Sequence, residues 1–299
     1  MPLLAAERPS SDVARALATV CAEIGLDHRG ATSLRCVSNA VFRLANDPVV
    51  VRISLVPALQ HRAGTVALVG RWLAAHGVPA VRLLDGFEQP VRVGGYVATL
   101  WHEVPHVGPA PTGADLARLL RAVHALPPPP VPLPDWEPLG AVRARLDDAD
   151  GVDPADRAIL DRRYHEVRGA LDGLDYELPP GPIHGDAHLG NLIAGPDGPV
   201  LCDFDSTCSG PREWDLLTLA VGRLRFGYPP QDYRGLVDGY GFDVTRWSGF
   251  DVLRQARELK LVTVALPLLR SNPDVRAQFA VRMQTFRDGR QATRWAPFR

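Results

Sequence analysis

The sequence predicts an α+β protein of two lobes, in which strands cluster near the N-terminus and helices fill most of the remainder. Residues 32–54 contain three short apolar runs separated by turn residues, a pattern typical of consecutive antiparallel strands. From residue 112 onward, apolar residues recur mainly at helical spacing. A chain of 299 residues is long enough to build two lobes, each with its own core.

The N-terminal part is expected to form a helix and then strands. Residues 10–26 carry apolar residues at helical spacing behind a serine N-cap, and Gly25 ends the helix. Ser38 and Asn39 form a hairpin turn between the first two of the three strands. The elements expected in this part are strands at 34–37, 41–44 and 49–54, a helix over 62–76, and strands near 83–87 and 96–100.

The C-terminal part is expected to be mostly helical. Leu116, Leu119, Leu120 and Val123 lie on one face of a helix that begins near residue 113. Residues 135–173 are charged and helical with a break at Gly-Val-Asp-Pro, which is typical of solvated helix faces. Further helices are expected over residues 212–224, 252–270 and 274–287.

Composition excludes several classes of function. A hydrophobic content of 46% and a charged content of 22% are ordinary for a globular protein, and the net charge of −1 gives no support for binding nucleic acid or a membrane surface. No apolar run approaches the ~20 residues of a membrane span, and no signal peptide is evident. Four cysteines without a CxxC pair favour a reducing compartment. We expect a cytoplasmic monomer or homodimer with no nucleic-acid or membrane partner.

The most informative stretch is residues 183–205. Asp186 is followed five positions later by Asn191, and Asp203 ends a short apolar run. Glycine and proline residues at 194–198 predict a hairpin turn between them. Because a hairpin brings its two ends together, we expect these three polar side chains to share one small volume. An amide oxygen and a carboxylate are ligands that suit Mg²⁺, and a second carboxylate can accept a proton from a hydroxyl group.

These residues belong to a longer pattern, which reads His184-Gly185-Asp186-x-x-x-x-Asn191, then Asp203-Phe204-Asp205, then Gly210-Pro211-Arg212-Glu213-Trp214-Asp215-Leu216. The pattern resembles the aminoglycoside phosphotransferase family of kinase-like enzymes. The resemblance implies a bilobal protein-kinase-like fold, with an antiparallel sheet and helices in the N-lobe and a mostly helical C-lobe. It places a nucleotide-binding N-lobe at residues 1–101, a hinge at 102–108 and a C-lobe with the catalytic loop and substrate site at 109–299.

The resemblance also implies roles for the polar residues of the motif. Asp186 is the catalytic base, and Asn191 and Asp203 hold Mg²⁺. His184 and Asp215 support the catalytic loop. Asp205 stands where protein kinases carry glycine, and we expect it to bind either a second metal ion or the substrate.

Nucleotide binding is expected from the N-lobe and the hinge. Arg52 stands on the third strand, where kinases usually carry a lysine that contacts the phosphates. No carboxylate occurs between residues 54 and 84, so the usual glutamate partner on the next helix is missing, and Gln60, His61 and Thr65 are the alternatives. The remaining nucleotide contacts are expected from Ser38, Asn39, Trp101, His102 and Glu103.

The sequence therefore predicts an ATP- or GTP-dependent O-phosphotransferase that acts on a hydroxyl group of a small molecule, such as an aminoglycoside or another natural product. One alternative is a nucleotide-binding pseudokinase, because the Lys–Glu pair is altered. Another is a metallohydrolase, since His184, Asp186 and His188 alternate. A polycationic acceptor calls for free carboxylates, and the C-terminal candidates are Glu137, Asp161, Glu166, Glu213, Asp232, Asp238 and Glu258. An aromatic wall built from Trp136, Tyr233, Tyr240 and Trp247 would fit a neutral acceptor.

Overall fold

The computed structural model describes residues 10–36, 39–289 and 293–298. The elements run in the order α1 (Ser11–Ile24), β1 (Thr32–Cys36), β2 (Asn39–Arg43), β3 (Val49–Ser54), α2 (Arg62–Ala75), β4 (Val91–Val93), β5 (Tyr96–His102), α3 (Gly113–His124), α4 (Gly140–Asp147), α5 (Pro154–Leu171), β6 (Gly181–Ile183), β7 (Leu192–Gly195), β8 (Gly198–Leu201), β9 (Cys208–Gly210), α6 (Glu213–Phe226), α7 (Pro230–Tyr240), α8 (Phe250–Thr263) and α9 (Pro273–Asp288). The α+β prediction is confirmed.

The chain divides into two compact units that do not follow the chain order. Unit 1 comprises Met1–Pro111, Arg121–Leu133 and Leu189–Thr207. Unit 2 comprises Thr112–Leu120, Pro134–His188 and Cys208–Arg299. The lobe boundaries at residues 101 and 108 stay a prediction.

Unit 1 is organised around a five-stranded antiparallel sheet with the order β1-β2-β3-β5-β4. Val49, Val51 and Ile53 of the central strand β3 are buried in a core that α1 covers. Because side chains alternate along a strand, Arg52 points to the opposite face of the sheet. The helix thus covers one face, and the other face carries the polar residues of interest.

The strand predicted near residues 83–87 is wrong. Leu83 makes only an isolated bridge to Trp101, and the strand that pairs with the outer edge of β5, opposite β3, is β4 at Val91–Val93. Gly86 turns the chain at a φ of 83°, a left-handed conformation that ends an extended run. The buried side chain of Gln89 donates to the carbonyl oxygens of Leu84 and Leu100 and accepts from the Leu100 N–H, so a side-chain amide makes the bonds that a neighbouring strand would make.

Unit 2 is mostly helical, as the sequence predicts. α4 to α9 contribute buried leucine, valine and alanine residues to its core, and β6 and β9 form a short antiparallel pair. The helix predicted to reach residue 270 ends at Thr263, since Pro267 lacks the N–H that a continuing helix needs. α7 was not predicted. No helix among the described residues is long and apolar enough to cross a membrane.

Candidate active site

The β7–β8 hairpin places Asn191 beside Asp203. The strands pair antiparallel with Leu192 opposite Leu201, and the N–H of Cys202 donates to the carbonyl oxygen of Asn191 at 3.0 Å. The two residues therefore flank the open end of the hairpin in unit 1. The Asn191 side chain is buried. The predicted hairpin is confirmed, although β8 already ends at Leu201.

Asp203 adopts an unusual backbone conformation. Its φ of 66° and ψ of 71° lie in the left-handed region. Among the described residues, Asp203 is the only residue other than glycine that has a positive φ. Such a conformation costs an L-amino acid about 1–2 kcal/mol, and residues held in this way cluster at functional sites. The next residue, Phe204, is buried and packs against Trp101 with 6.1 Å between ring centroids. This packing anchors the chain directly after the strained aspartate.

Arginine side chains hold both carboxylates of the Asp203-Phe204-Asp205 motif. Arg35 Nη1 lies 3.0 Å from Asp203 Oδ2. Arg52 of β3 donates to Asp205 Oδ2, and Asn39 Nδ2 donates to the same oxygen at 3.1 Å. All of these residues belong to unit 1. Asp205 is therefore engaged by a cation and an amide.

The strand register explains why Asn39 and Arg52 meet on one carboxylate. Arg52 pairs across the sheet with Val41, and Asn39 lies two residues before Val41 on β2. Residues two apart on a strand share a face, so Asn39 and Arg52 point to the same side. Sequence reasoning considered Gln60, His61 and Thr65 as partners for Arg52 and missed Asp205. The available signal was a paired exchange, in which arginine replaces the kinase lysine and aspartate replaces the kinase glycine.

The predicted hinge residues are bonded within unit 1. The His102 N–H donates to the carbonyl oxygen of Arg82 at 2.9 Å, and the Glu103 N–H donates to that of Pro48 at 2.8 Å. The Trp101 side chain is buried. These two amides are thus engaged within the chain, and Val104 carries the next N–H along it. Ser38, another predicted nucleotide contact, lies outside the described residues.

In unit 2, the first turn of α6 grips the loop that carries Asp186. The carboxylate of Asp215 accepts hydrogen bonds from the backbone N–H of His184 at 2.7 Å and of Gly185 at 2.8 Å. The indole N–H of Trp214 donates to the carbonyl oxygen of Gly185 at 2.9 Å. Asp215 and Trp214 are both buried. The Nδ1 atom of the His184 ring accepts a hydrogen bond from the Asp186 N–H at 3.4 Å, a further contact within the same loop.

Cations surround the Asp186 carboxylate. Arg257 Nη2 donates to Asp186 Oδ1 at 2.6 Å, and His188 Nε2 lies 3.8 Å from Oδ2. Burial by itself would raise the pKa of Asp186, but the charges of Arg257, His188 and Lys260 hold that pKa well below its usual range. The carboxylate is therefore ionised at neutral pH. Sequence reasoning missed Arg257, because nothing in the periodicity of α8 indicates which residue it faces 71 positions earlier.

The donor set of unit 1 fits a magnesium ion. Asn191 offers an amide oxygen and Asp203 a carboxylate, which are the hard ligands that Mg²⁺ binds alongside phosphate oxygens. Asp205 fits less well, because its partner Arg52 is only 11% exposed, whereas the Arg35 side chain that pairs with Asp203 is 60% exposed and more easily displaced by a metal ion. Among the described residues, no three His, Cys, Asp or Glu side chains are placed to hold a metal ion, which argues against a zinc site at His184, Asp186 and His188.

Comparison with known proteins identifies the class. Residues 36–250 match the phosphotransferase enzyme family, APH. The chain belongs to this family, whose members are small-molecule kinases. A search of curated proteins found no significant match.

Several solved structures share the fold of this chain. The amicoumacin kinase hAmiN, in complex with AMP-PNP, Ca²⁺ and Ami, aligns with a TM-score of 0.70 and 15% identity over 91% of both chains. A choline/ethanolamine kinase family protein from Mesorhizobium loti aligns at 0.63 and 18% identity over 93% of this chain and 94% of its own. APH(2")-IIia, in its GDP and kanamycin complex, aligns at 0.61 and 13% identity over 91% and 98%. The predicted family and the bilobal kinase-like fold are confirmed.

Proposed function

We propose that this protein transfers the γ-phosphoryl group of ATP or GTP to a hydroxyl group of a small molecule, with Asp186 as the base. The observation that carries the proposal is the Asp186 loop, which α6 fixes through Asp215 and Trp214. Such preorganisation holds a carboxylate in position for an incoming hydroxyl group. The family match supports the class of reaction.

In the proposed reaction, the acceptor oxygen forms a bond to the γ-phosphorus, and the bond from that phosphorus to the bridging β,γ-oxygen breaks. The hydroxyl proton passes to the Asp186 carboxylate, and ADP or GDP leaves. The pKa of Asp186 is depressed, which is compatible with this role. In a loose transition state little proton transfer is required early, so the base mainly orients the hydroxyl group.

In the proposed reaction, residues of unit 1 bind the nucleotide that donates the phosphoryl group. Asn191 and Asp203 would hold Mg²⁺, which neutralises phosphate charge when it is bound. Arg52, oriented by Asp205, whose carboxylate also accepts from Asn39, would contact the phosphates in place of the kinase lysine. The backbone N–H groups of His102 and Glu103 already donate within the chain. We therefore propose that the backbone N–H of Val104 donates the hydrogen bond to the adenine or guanine base.

The Arg52–Asp205 contact bears on the pseudokinase alternative. That alternative depended on the missing Lys–Glu pair, but the chain contains a different cation–carboxylate pair in which both partners have changed. The proposed phosphate-binding position therefore keeps both a cation and a charged partner for it. We therefore favour an active enzyme.

For the acceptor, we propose only a chemical class, a small molecule that carries a hydroxyl group. The structurally similar proteins are bound to, or named for, amicoumacin, kanamycin and choline. An antibiotic acceptor, with drug resistance as the biological outcome, is one candidate within this range, and a small metabolite is another.

The test is acceptor-dependent release of ADP or GDP by the purified full chain. Wild-type protein with Mg-ATP or Mg-GTP is offered hydroxylated antibiotics, amino alcohols, hydroxy acids and sugars, and each product is checked by mass spectrometry for one added phosphoryl group. We expect at least one acceptor to be phosphorylated. Nucleotide binding without transfer to any acceptor across the panel would contradict the proposal and favour the pseudokinase.

A further inference from the structure

Two cations of α8, Arg257 and Lys260, lie on the helix face that is turned toward the Asp186 carboxylate. Arg257 and Lys260 are three residues apart, and residues at this spacing share a helix face. Their charged groups lie 5.9 Å and 6.0 Å from the centroid of the Trp214 ring. Both cations therefore occupy one small region next to the loop that α6 holds.

Other elements of unit 2 contribute further groups to this region. Asp186 and His188 come from the loop after β6, Arg145 lies near the end of α4, and Tyr228 follows α6. The charge of Arg257 acts on Tyr228, and the charges of Arg145, Arg257 and Asp186 act on Lys260. Arg257 and Lys260 thus act on the carboxylate of Asp186, and Arg145 acts on Lys260. The Asp215 carboxylate lies in the same part of unit 2, where the backbone N–H groups of His184 and Gly185 donate to it.

Arg257 has hydrogen-bonding capacity to spare. Its side chain is only 8% exposed, and it uses Nη2 on Asp186. Its other terminal nitrogen, Nη1, is buried without a hydrogen-bond partner in the described part of the chain. A buried donor without an acceptor is costly, so such a nitrogen marks a place for an oxygen atom. A guanidinium group favours the paired oxygens of a carboxylate or phosphate group.

The carboxylates that a polycationic acceptor would need are mostly engaged elsewhere. Glu258 is buried between Arg225 and Arg254 on another part of the α8 surface. Glu213 accepts hydrogen bonds from the backbone N–H groups of residues 177 and 178. The others that pair with arginine residues of unit 2 are Glu137, Asp161 and Glu166. Five of the seven candidate acids therefore already have partners.

From these observations we infer that Arg257 and Lys260 form an anion subsite, which binds a carboxylate or phosphate group of the acceptor while its hydroxyl group faces Asp186. The inference rests on the proposed function, because it takes Asp186 as the base. It assigns the acceptor to hydroxylated small molecules that carry a negative charge. Polycationic aminoglycosides fall outside this class.

The same cations have a second possible role, on the phosphoryl group during transfer. We favour the acceptor because the residues proposed for the donor phosphates, Arg52, Asn191 and Asp203, all belong to unit 1. Arg257 and Lys260 belong to unit 2 together with the base. The experiment separates the two roles, because loss of an acceptor contact changes the KM for the acceptor, whereas loss of a transition-state contact lowers kcat for every acceptor.

The experiment uses matched sets of acceptors, each consisting of a hydroxy acid, its methyl ester and the corresponding amino alcohol, with kanamycin as a polycation. Binding is measured by calorimetry and turnover by ADP release. We expect hydroxy acids to bind the wild-type protein at least about tenfold more tightly than their esters, the typical value of one charge-assisted hydrogen bond. In the Lys260→Gln variant, that advantage should fall about tenfold, with the KM for Mg-ATP within about twofold of wild type.

Arg246→Gln is the matched control, because its side chain is 88% exposed on the surface of unit 2. Arg257→Gln is the second variant and should show the same loss if it folds. Equal binding of acids and esters, tighter binding of amino alcohols, or no binding of any hydroxy acid would overturn the inference. A fall in kcat for all acceptors with an unchanged KM for the acceptor would overturn the inference and would indicate that the cations contact the phosphoryl group during transfer. Binding that follows the expected order without turnover would support the subsite and contradict the proposed function.

Discussion

The contact between Arg52 and Asp205 can be tested by an Asp205→Asn substitution. The Arg52 side chain is 11% exposed and that of Asp205 is 21% exposed, so solvent screens the pair only in part. Removing one partner of a fully buried pair costs about 3–5 kcal/mol, and exposed pairs contribute about 0–1 kcal/mol. Given the exposure of Asp205, we expect a loss of about 2–3 kcal/mol in the free energy of unfolding of the protein. Arg52 would also lose its orientation, so we expect the KM for Mg-ATP to rise about tenfold.

The assay is urea unfolding combined with steady-state kinetics, carried out as a double-mutant cycle with Arg52→Gln. Because the two side chains are in contact, the double variant should lose about 2 kcal/mol less than the sum of the single variants. Asp197→Asn is the matched control, since Asp197 is exposed in the turn between β7 and β8, where asparagine is equally suitable. Additive losses within about 0.5 kcal/mol, with an unchanged KM for Mg-ATP, would refute the idea that Asp205 orients Arg52.

Two further predictions concern unit 2. Asp215→Asn places an amide group against the N–H donors of His184 and Gly185. We expect it to lower the free energy of unfolding by about 2–4 kcal/mol and to reduce kcat while changing the KM for Mg-ATP much less. An unchanged unfolding midpoint would contradict this prediction. Burial lowers the pKa of Lys260, the single lysine of the chain, to about 8 from 10.5. The folded state therefore releases this proton first, and between pH 8 and pH 10.5 the Lys260 contribution to stability should rise with pH, by about 1–3 kcal/mol in all. Buried cysteine residues with raised pKa values act in the opposite direction, so the measurement is the difference in unfolding free energy between wild type and Lys260→Met, and a pH-independent difference would contradict the prediction.

The sequence was most informative where local rules decide the structure. The turn residues at 194–198 predicted the β7–β8 hairpin, which places Asn191 beside Asp203. Helical periodicity found most helices of unit 2, and Pro267 accounts for the overestimated length of α8. The motif of residues 184–216 was sufficient to indicate the family.

Contacts between residues far apart in the chain could not be predicted in this way. Arg257 reaches Asp186 across 71 positions, and Arg52 reaches Asp205 across 153. Neither partner is specified by periodicity or by turn chemistry, because each pairing depends on how helices and strands pack. The same limit explains the misplaced strand near residue 85, where the Gln89 side chain competes with strand pairing.

These distant contacts change the expected chemistry of the site. A depressed pKa leaves Asp186 a weak base, so its contribution is to orient the acceptor hydroxyl group and accept the proton late. The cations that depress that pKa also set the charge of the region next to it. Base strength and acceptor preference are therefore linked through Arg257 and Lys260.

The central claim is that Asp186 acts in phosphoryl transfer and not in nucleotide binding. The most direct measurement compares wild type with Asp186→Asn, using single-turnover transfer of the γ-phosphoryl group to an acceptor found in the panel and equilibrium binding of Mg-ATP. We expect the transfer rate to fall at least about a thousandfold, which corresponds to about 4 kcal/mol of transition-state stabilisation, with the Kd for Mg-ATP within about threefold of wild type. Transfer at the wild-type rate by Asp186→Asn would contradict the claim.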